Sequence, residues 1–137
     1  MVQRRNISVG IFLLLAVSKP LLSQIKADAV KREVYESLEQ MPEFPGGVVE
    51  MENFVIKNLR LPQIKEPEPK AGVYIRFIVN ADGSVSDIKT ARSSGNTAVD
   101  DSVKAVIGRM PLWKPGMLQG KPVNCYYNLP ISHIRYQ

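Results

Sequence analysis

Residues 73 to 79 carry an apolar side chain at every second position, and this run constrains the fold more than any other feature. Val73, Ile75, Phe77 and Val79 would give a strand one wholly apolar face. The sequence Asn-Ala-Asp-Gly follows at 80–83, and its glycine can supply the positive φ of a hairpin turn. A return strand over 84–91 is less regular, which indicates a bulge or a partly exposed outer strand. The chain therefore predicts a hairpin whose apolar face must be covered.

Two amphipathic helices are predicted to cover that face. The first lies between the Gly-Gly pair at 46–47 and Pro62, and the second lies between Asn96, its predicted N-cap, and Pro111. Apolar residues recur at helical spacing in both: Met51, Phe54, Val55 and Leu59 in the first, and Val99, Val103, Val106, Ile107 and Met110 in the second. The stripe on the second helix predicts that it packs against a sheet.

A last strand is predicted from Val123 to Ile131, after a loop bracketed by Gly116 and Gly120. The element order is then α-β-β-α-β. This order predicts an α+β fold with a three-stranded antiparallel sheet in the order 2-1-3 and both helices packed on one face. The last strand would form an edge of that sheet.

The N-terminal region predicts a division of the chain. Arg4 and Arg5 precede a short apolar run over 9–17, which Lys19 and a proline interrupt before it reaches the roughly 20 residues needed to span a bilayer. We predict an export signal over 1–23, a polar tether over 24–40 and one domain over 41–137. An uncleaved membrane anchor in the same N-terminal segment is the alternative.

Charge does not indicate a nucleic-acid partner. The formal net charge is +5, and Arg4, Arg5 and Lys19 of the N-terminal segment account for three of those charges. The remaining basic residues are scattered and form no stripe, so we predict no nucleic-acid binding. Trp113 is expected to close the end of the core, with stacking on a ligand as the less favoured interpretation.

No pattern in the sequence indicates catalysis. It contains no phosphate loop, dinucleotide-binding glycine motif, serine nucleophile motif or zinc-ligand spacing. Cys125 and His133 are the only cysteine and histidine. If both lie on the last strand they are about 26 Å apart, too far for a nucleophile and its base. We therefore predict no enzyme, cofactor or metal site, and we expect Cys125 to be a buried strand residue.

The last strand is the remaining candidate for function. An unpaired strand edge is a liability unless it is covered or used, and Pro122 and Pro130 limit pairing to the segment between Val123 and Leu129. An extended peptide could add there through backbone hydrogen bonds. The same edge could instead pair with its copy in a dimer, and the sequence leaves both interpretations open.

Several motifs in order resemble the C-terminal domain of TonB. They run from the strand before the Asp-Gly turn through Ser93-Ser94-Gly95 and the helix start at Val99-Asp100. The segment Met110-Pro111-Leu112-Trp113-Lys114-Pro115-Gly116 and the residues from Gly120 to Pro130 complete the series. The Glu-Phe-Pro-Gly-Gly segment upstream is similar to the Bacteroidetes-type members. The resemblance implies a TonB/TolA C-terminal-domain-like fold.

The resemblance also implies which proteins this chain binds and which of its residues contact them. Members of that family bind a TonB-box strand of an outer-membrane transporter beside their own last strand and receive energy from ExbB–ExbD. Carried onto this chain, the implied contact consists of Val123, Asn124, Cys125, Tyr126, Tyr127 and Asn128. We therefore interpret the chain as a periplasmic module, exported by its N-terminal signal, that binds a transporter or another envelope protein. A short anchored energy transducer and a dimeric envelope-assembly protein are the alternatives.

Overall fold

Residues 32–63 and 68–132, which the computed structural model describes, contain seven regular elements. In chain order they are β1 (Val34–Tyr35), α1 (Val48–Asn58), β2 (Val73–Val79), β3 (Val85–Arg92), α2 (Thr97–Ile107), β4 (Gly116–Leu118) and β5 (Lys121–Ile131). The five longer elements follow the predicted α-β-β-α-β order. The sequence does not predict β1 and β4, because strands of two and three residues are too short to show a periodicity.

The predicted hairpin joins β2 and β3 through the turn at Gly83. The carbonyl of Asn80 accepts from the N–H of Gly83, and the N–H of Asn80 donates to Ser84, both over 2.8 Å. Gly83 has a φ of +86°, and a Cβ there would lie 2.3 Å from the carbonyl oxygen of Trp113, so only glycine fits. The register of β3 shifts twice against β2, and Asp87 has a φ of 51°. The expected irregularity of the return strand is confirmed.

Both helices begin and end near their predicted limits. Asn96 caps α2 as predicted, because its side chain accepts from the N–H of Val99. Asp100 in the first turn of that helix also accepts from the hydroxyl and N–H of Ser94 at 2.6 and 2.9 Å. The helix is therefore tied to the end of β3 as well as being capped.

The sheet has the order β1-β5-β2-β3, and β4 pairs with the start of β5. The three long strands are antiparallel in the predicted 2-1-3 order, with β2 between β3 and β5. The prediction of three strands in a purely antiparallel sheet is wrong, because the described part of the chain forms five strands and β1 runs parallel to β5. β5 is consequently not an edge along its whole length. The predicted loop from Gly116 to Gly120 contains β4 and the turn into β5.

The helices and the inner face of the sheet share one core, so the predicted packing on one face is confirmed. Buried side chains of α1, α2, β2 and β5 meet there: Met51, Val99, Val103, Ile107, Val73, Ile75, Phe77, Val79 and Leu129. Trp113 closes the core as expected, with its ring centroid 5.6 Å from those of Phe44 and Phe77. This packing fixes the inner face of β5.

Part of the predicted N-terminal division falls outside the described residues. The predicted export signal or anchor over 1–23, the tether over 24–31 and His133 all lie outside them. The last part of the predicted tether lies in the sheet: Val34 and Tyr35 form β1, and Gln40 bridges to Met117 of β4. No helix within 32–63 and 68–132 has the length and hydrophobicity to cross a membrane.

Candidate functional site at the outer edge of the last strand

The hairpin hydrogen bonds fix the direction of the backbone polar groups in β2. The N–H of Asn80 faces β3, because it donates to the carbonyl of Ser84. The N–H and C=O of successive strand residues face opposite sides. Those of Val79 and Phe77 therefore face the other neighbour, β5.

The register between β2 and β5 determines which backbone groups of the last strand face β2. Cys125 and Tyr127 lie opposite Val79 and Phe77 without a register shift, so their N–H and C=O groups face β2. The backbone groups of Tyr126 and Asn128 then face away from β2. The next residue on that side is proline, which has no N–H to leave unpaired and commonly occupies such outward positions. The outer side of β5 thus presents the backbone groups of alternate residues.

Two short strands of the same chain pair with the first half of β5. β4 pairs with Val123, whose backbone groups face the same side as those of Cys125, so β4 lies on the side of β2, whereas β1 lies on the outer side opposite Asn124 and Cys125. In this parallel pair the groups of Tyr35 face β5, so its carbonyl accepts from the N–H of Tyr126. Beyond that hydrogen bond, no strand among residues 32–63 and 68–132 pairs with the outer side of β5, and the open edge begins at Asn128.

A polar contact across the exposed sheet face lies beside the end of β1. The guanidinium of Arg76 donates to Glu36, the residue after β1, over 2.5 Å and lies over the ring of Tyr126, 3.9 Å from its centroid. The hydrogen bond to Glu36 raises the pKa of Arg76 above its usual value, and Tyr126 adds to this effect. Sequence patterns do not identify the contact, because the two charges are 40 residues apart and no local motif joins them.

The inward side chains of β5 belong to the core. Cys125 is buried, and its Sγ lies 4.0 Å from the Sδ of Met41. Burial, together with the charge of Glu36, raises the pKa of the Cys125 thiol and disfavours the reactive thiolate. The ring centroid of Tyr127 lies 4.8 Å from that of Trp113, and burial raises the pKa of its phenol. Cys125 therefore offers a partner neither a reactive thiol nor an outward backbone group.

The described residues contain no group of three or more possible metal ligands. The buried carboxylate of Asp100 is occupied by Ser93 and Ser94. Burial acts to raise the pKa of Asp100, but the hydrogen bonds from the two serines and the charge of Lys104 lower it below its usual value. The carboxylate therefore stabilises the fold in its charged form and is poorly suited to act as a general acid.

Comparisons with known proteins identify similar families and structures. The family model described as "Gram-negative bacterial TonB protein C-terminal" matches residues 65–134. An NMR solution structure of the Helicobacter pylori TonB C-terminal domain is similar over 64% of this chain and 81% of that chain, with 25% identity and a TM-score of 0.39. No curated protein matches the chain.

Proposed function

Because this chain belongs to the family of Gram-negative bacterial TonB C-terminal domains, we propose that it is a periplasmic binding module of the TonB system. It binds an extended, TonB-box-like segment of an outer-membrane transporter by adding that segment as a strand to β5. The family is a non-enzymatic interaction module and is periplasmic in Gram-negative bacteria. The proposal extends that family role to a defined edge of this chain.

The open outer edge of β5 is the observation that carries the proposal. From Asn128 to Ile131 the strand is held on one side by β2, and no described strand pairs with its other side. Unpaired edge groups are a template for strand addition. A peptide laid against Asn128 and Pro130 would pair their outward groups without disturbing the core, because the inward side chains keep their contacts.

The energetics of such a contact are modest. The outer edge from Tyr126 onward offers about four or five backbone hydrogen bonds, each worth roughly 0.5–1.5 kcal/mol net, or about 2–7 kcal/mol together. A micromolar complex requires about 8 kcal/mol, and ordering the peptide costs more still. Backbone pairing alone is therefore too weak, so side chains of the bound segment must also contribute.

Binding along the whole predicted contact requires β1 to move. β1 lies on the outer side of β5 opposite Asn124 and Cys125, and the Tyr35 carbonyl pairs with the N–H of Tyr126. The peptide therefore pairs first from Asn128 onward and reaches Tyr126 and Asn124 only by displacing β1. β1 has two residues, and the ion pair beside it is solvent-exposed, so this displacement is feasible. The contact implied by the resemblance, Val123 to Asn128, is thus proposed as the fully extended form of the complex.

A titration of isotopically labelled protein tests the proposal. The probes are synthetic TonB-box-like peptides, and backbone amide shifts are followed residue by residue. We expect the largest shifts from Asn128 to Ile131, with shifts from Asn124 to Tyr126 if β1 is displaced. Asn128→Pro, which removes one outward N–H from an edge position that tolerates proline, is expected to weaken binding. The absence of shifts along β5 would overturn the proposal.

The same edge also supports a second candidate, pairing between two copies of this chain. Sedimentation at low protein concentration separates the two. A persistent dimer whose Asn128 amide is already protected from exchange would favour an envelope-assembly protein over a peptide-binding module. Whether the protein is an anchored transducer coupled to ExbB–ExbD depends on residues 1–31. The mass of the mature protein tests this alternative, because an intact N-terminus supports an anchor and a start near Gln24 excludes one.

A further inference from the structure

An apolar groove runs along the open part of β5. It has a volume of about 260 Å³ and lies between α1 and the C-terminal half of β5. Its lining consists of Val48, Met51, Glu52, Val55, Ile56, Tyr127, Leu129, Pro130, Ile131 and Ser132. No residue of β2 lines it, so it lies on the side of β5 that faces away from β2. The groove and the open strand edge are therefore neighbours.

The groove has a buried floor and an exposed apolar rim on α1. Met51 and Val55 of the floor are buried, whereas Val48 and Ile56 are 58% and 72% exposed. Single exposed apolar residues are common on protein surfaces and need no explanation. Here two of them flank one groove beside an unpaired strand edge, which is the arrangement expected where an apolar group binds.

The neighbouring edge determines what kind of segment the groove can hold. One wall of the groove is the strand whose open outward backbone groups belong to Asn128 and Pro130. A bound helix or lipid chain would cover these polar groups without pairing them, which is costly. A bound strand pairs them, and its alternate side chains point to the helix side of the sheet. On that side they enter the groove.

We propose that the groove selects the side chains of the added strand. This inference rests on the strand addition proposed above and specifies its ligand: an extended segment with large aliphatic side chains at alternate positions. A cavity of roughly 150 Å³ holds a benzene-sized group, so the groove has room for at least one such side chain. Glu52 is the one charged residue among its lining residues, so the segment carries no acidic residue facing the groove and favours a basic residue near Glu52.

Paired substitutions on α1 test this inference. Ile56 lines the groove, whereas Val49 is similarly exposed, at 67%, and does not line it. The probe is a synthetic peptide of about ten residues in which valine alternates with threonine and a lysine stands at each end. We expect Ile56→Ser to weaken binding of this peptide roughly five- to tenfold and Val49→Ser to leave it unchanged. Thermal unfolding should be similar for both variants, because both positions are exposed.

A second peptide separates side-chain recognition from backbone pairing. Replacing each valine by threonine keeps the shape and strand propensity of the peptide but removes apolar surface. We expect this peptide to bind more weakly and to be insensitive to Ile56→Ser.

The possible results distinguish this inference from the proposed function. If the valine peptide shifts the amides of β5 but binds Ile56→Ser as tightly as the wild type, the inference is wrong and strand addition stands. If neither peptide shifts any amide of β5, strand addition fails and the inference fails with it. If Ile56→Ser without peptide shifts the amides of residues 1–31, a segment of the chain itself occupies the groove, which also overturns the inference.

Discussion

The short strand β1 is expected to restrict access to the covered half of the binding edge, and Tyr35→Pro tests this expectation. Tyr35 lies opposite Cys125, whose own backbone groups face β2. In a parallel pair the groups of Tyr35 are then the ones that face β5. Proline removes that N–H, so the variant should detach β1 while the pairing of β5 with β2 stays in place.

The size of the effect follows from the hydrogen bond that is lost. One net backbone hydrogen bond contributes about 0.5–1.5 kcal/mol, so its removal raises the population with β1 detached roughly two- to tenfold. Few other contacts oppose this change, because β1 has two residues and both side chains of the neighbouring ion pair are exposed.

Alkylation of Cys125 under native conditions measures that population. Cys125 is the only cysteine of the chain and is buried beside β1. Burial and the charge of Glu36 raise the pKa of its thiol. Detaching β1 opens one side of the thiol and moves Glu36 away, so more thiolate forms at a given pH and becomes accessible.

We expect iodoacetamide to modify Tyr35→Pro roughly two- to tenfold faster than the wild type. Tyr35→Ala keeps the N–H and loses only the ring, so it serves as the matched control and should show a much smaller increase. The reasoning is refuted if Tyr35→Pro reacts no faster than the wild type. It is also refuted if Tyr35→Ala reacts as fast as Tyr35→Pro, because the ring and not the strand pairing would then protect the thiol.

Two further predictions concern the fold that holds the edge in place. Asp100→Asn should lower the free energy of unfolding by about 1–3 kcal/mol at pH 7, measured by urea denaturation, because the acceptor for two serines is altered. The pKa of Asp100 is lower in the folded state, so its contribution is present above the unfolded pKa of about 4, and the difference from wild type should shrink as the pH falls below that value. Gly83→Ala should lower the melting temperature much more than Gly120→Ala. Both glycines have positive φ, but an added Cβ meets the Trp113 carbonyl oxygen at 2.3 Å in the first case and no atom within 4 Å in the second. Equal losses for the two variants would contradict the close approach at Gly83.

The long elements could be predicted because local patterns specify them. The alternation from Val73 to Val79 gives the observed bounds of β2, and the Asn96 cap gives the start of α2. β1 could not be predicted in this way. Its two residues pair with a strand about 90 positions later, and its stability comes from that strand and not from any periodicity of its own.

For the same reason, the sequence predicts the candidate site only in part. Alternation and the flanking prolines locate the last strand, but which half of its outer edge stays open depends on β1. One local signal does give the direction of the edge. Pro130 lacks an N–H and therefore favours an outward position, which predicts that Tyr126 and Asn128 face outward as well. The groove beside α1 requires the three-dimensional packing, because the helix and β5 are about 75 residues apart in sequence.

Hydrogen exchange at the Asn128 amide is the most direct test of strand addition. This N–H faces the open side of β5, whereas that of Tyr127 faces β2. Addition of the alternating valine–threonine peptide at saturating concentration should slow exchange at Asn128 by a factor that grows with peptide concentration over its dissociation constant. Tyr127 should change much less, because its N–H is already on the paired side. If the peptide binds and exchange at Asn128 stays as fast as in the unbound protein, the partner does not pair with this edge and the central claim is contradicted.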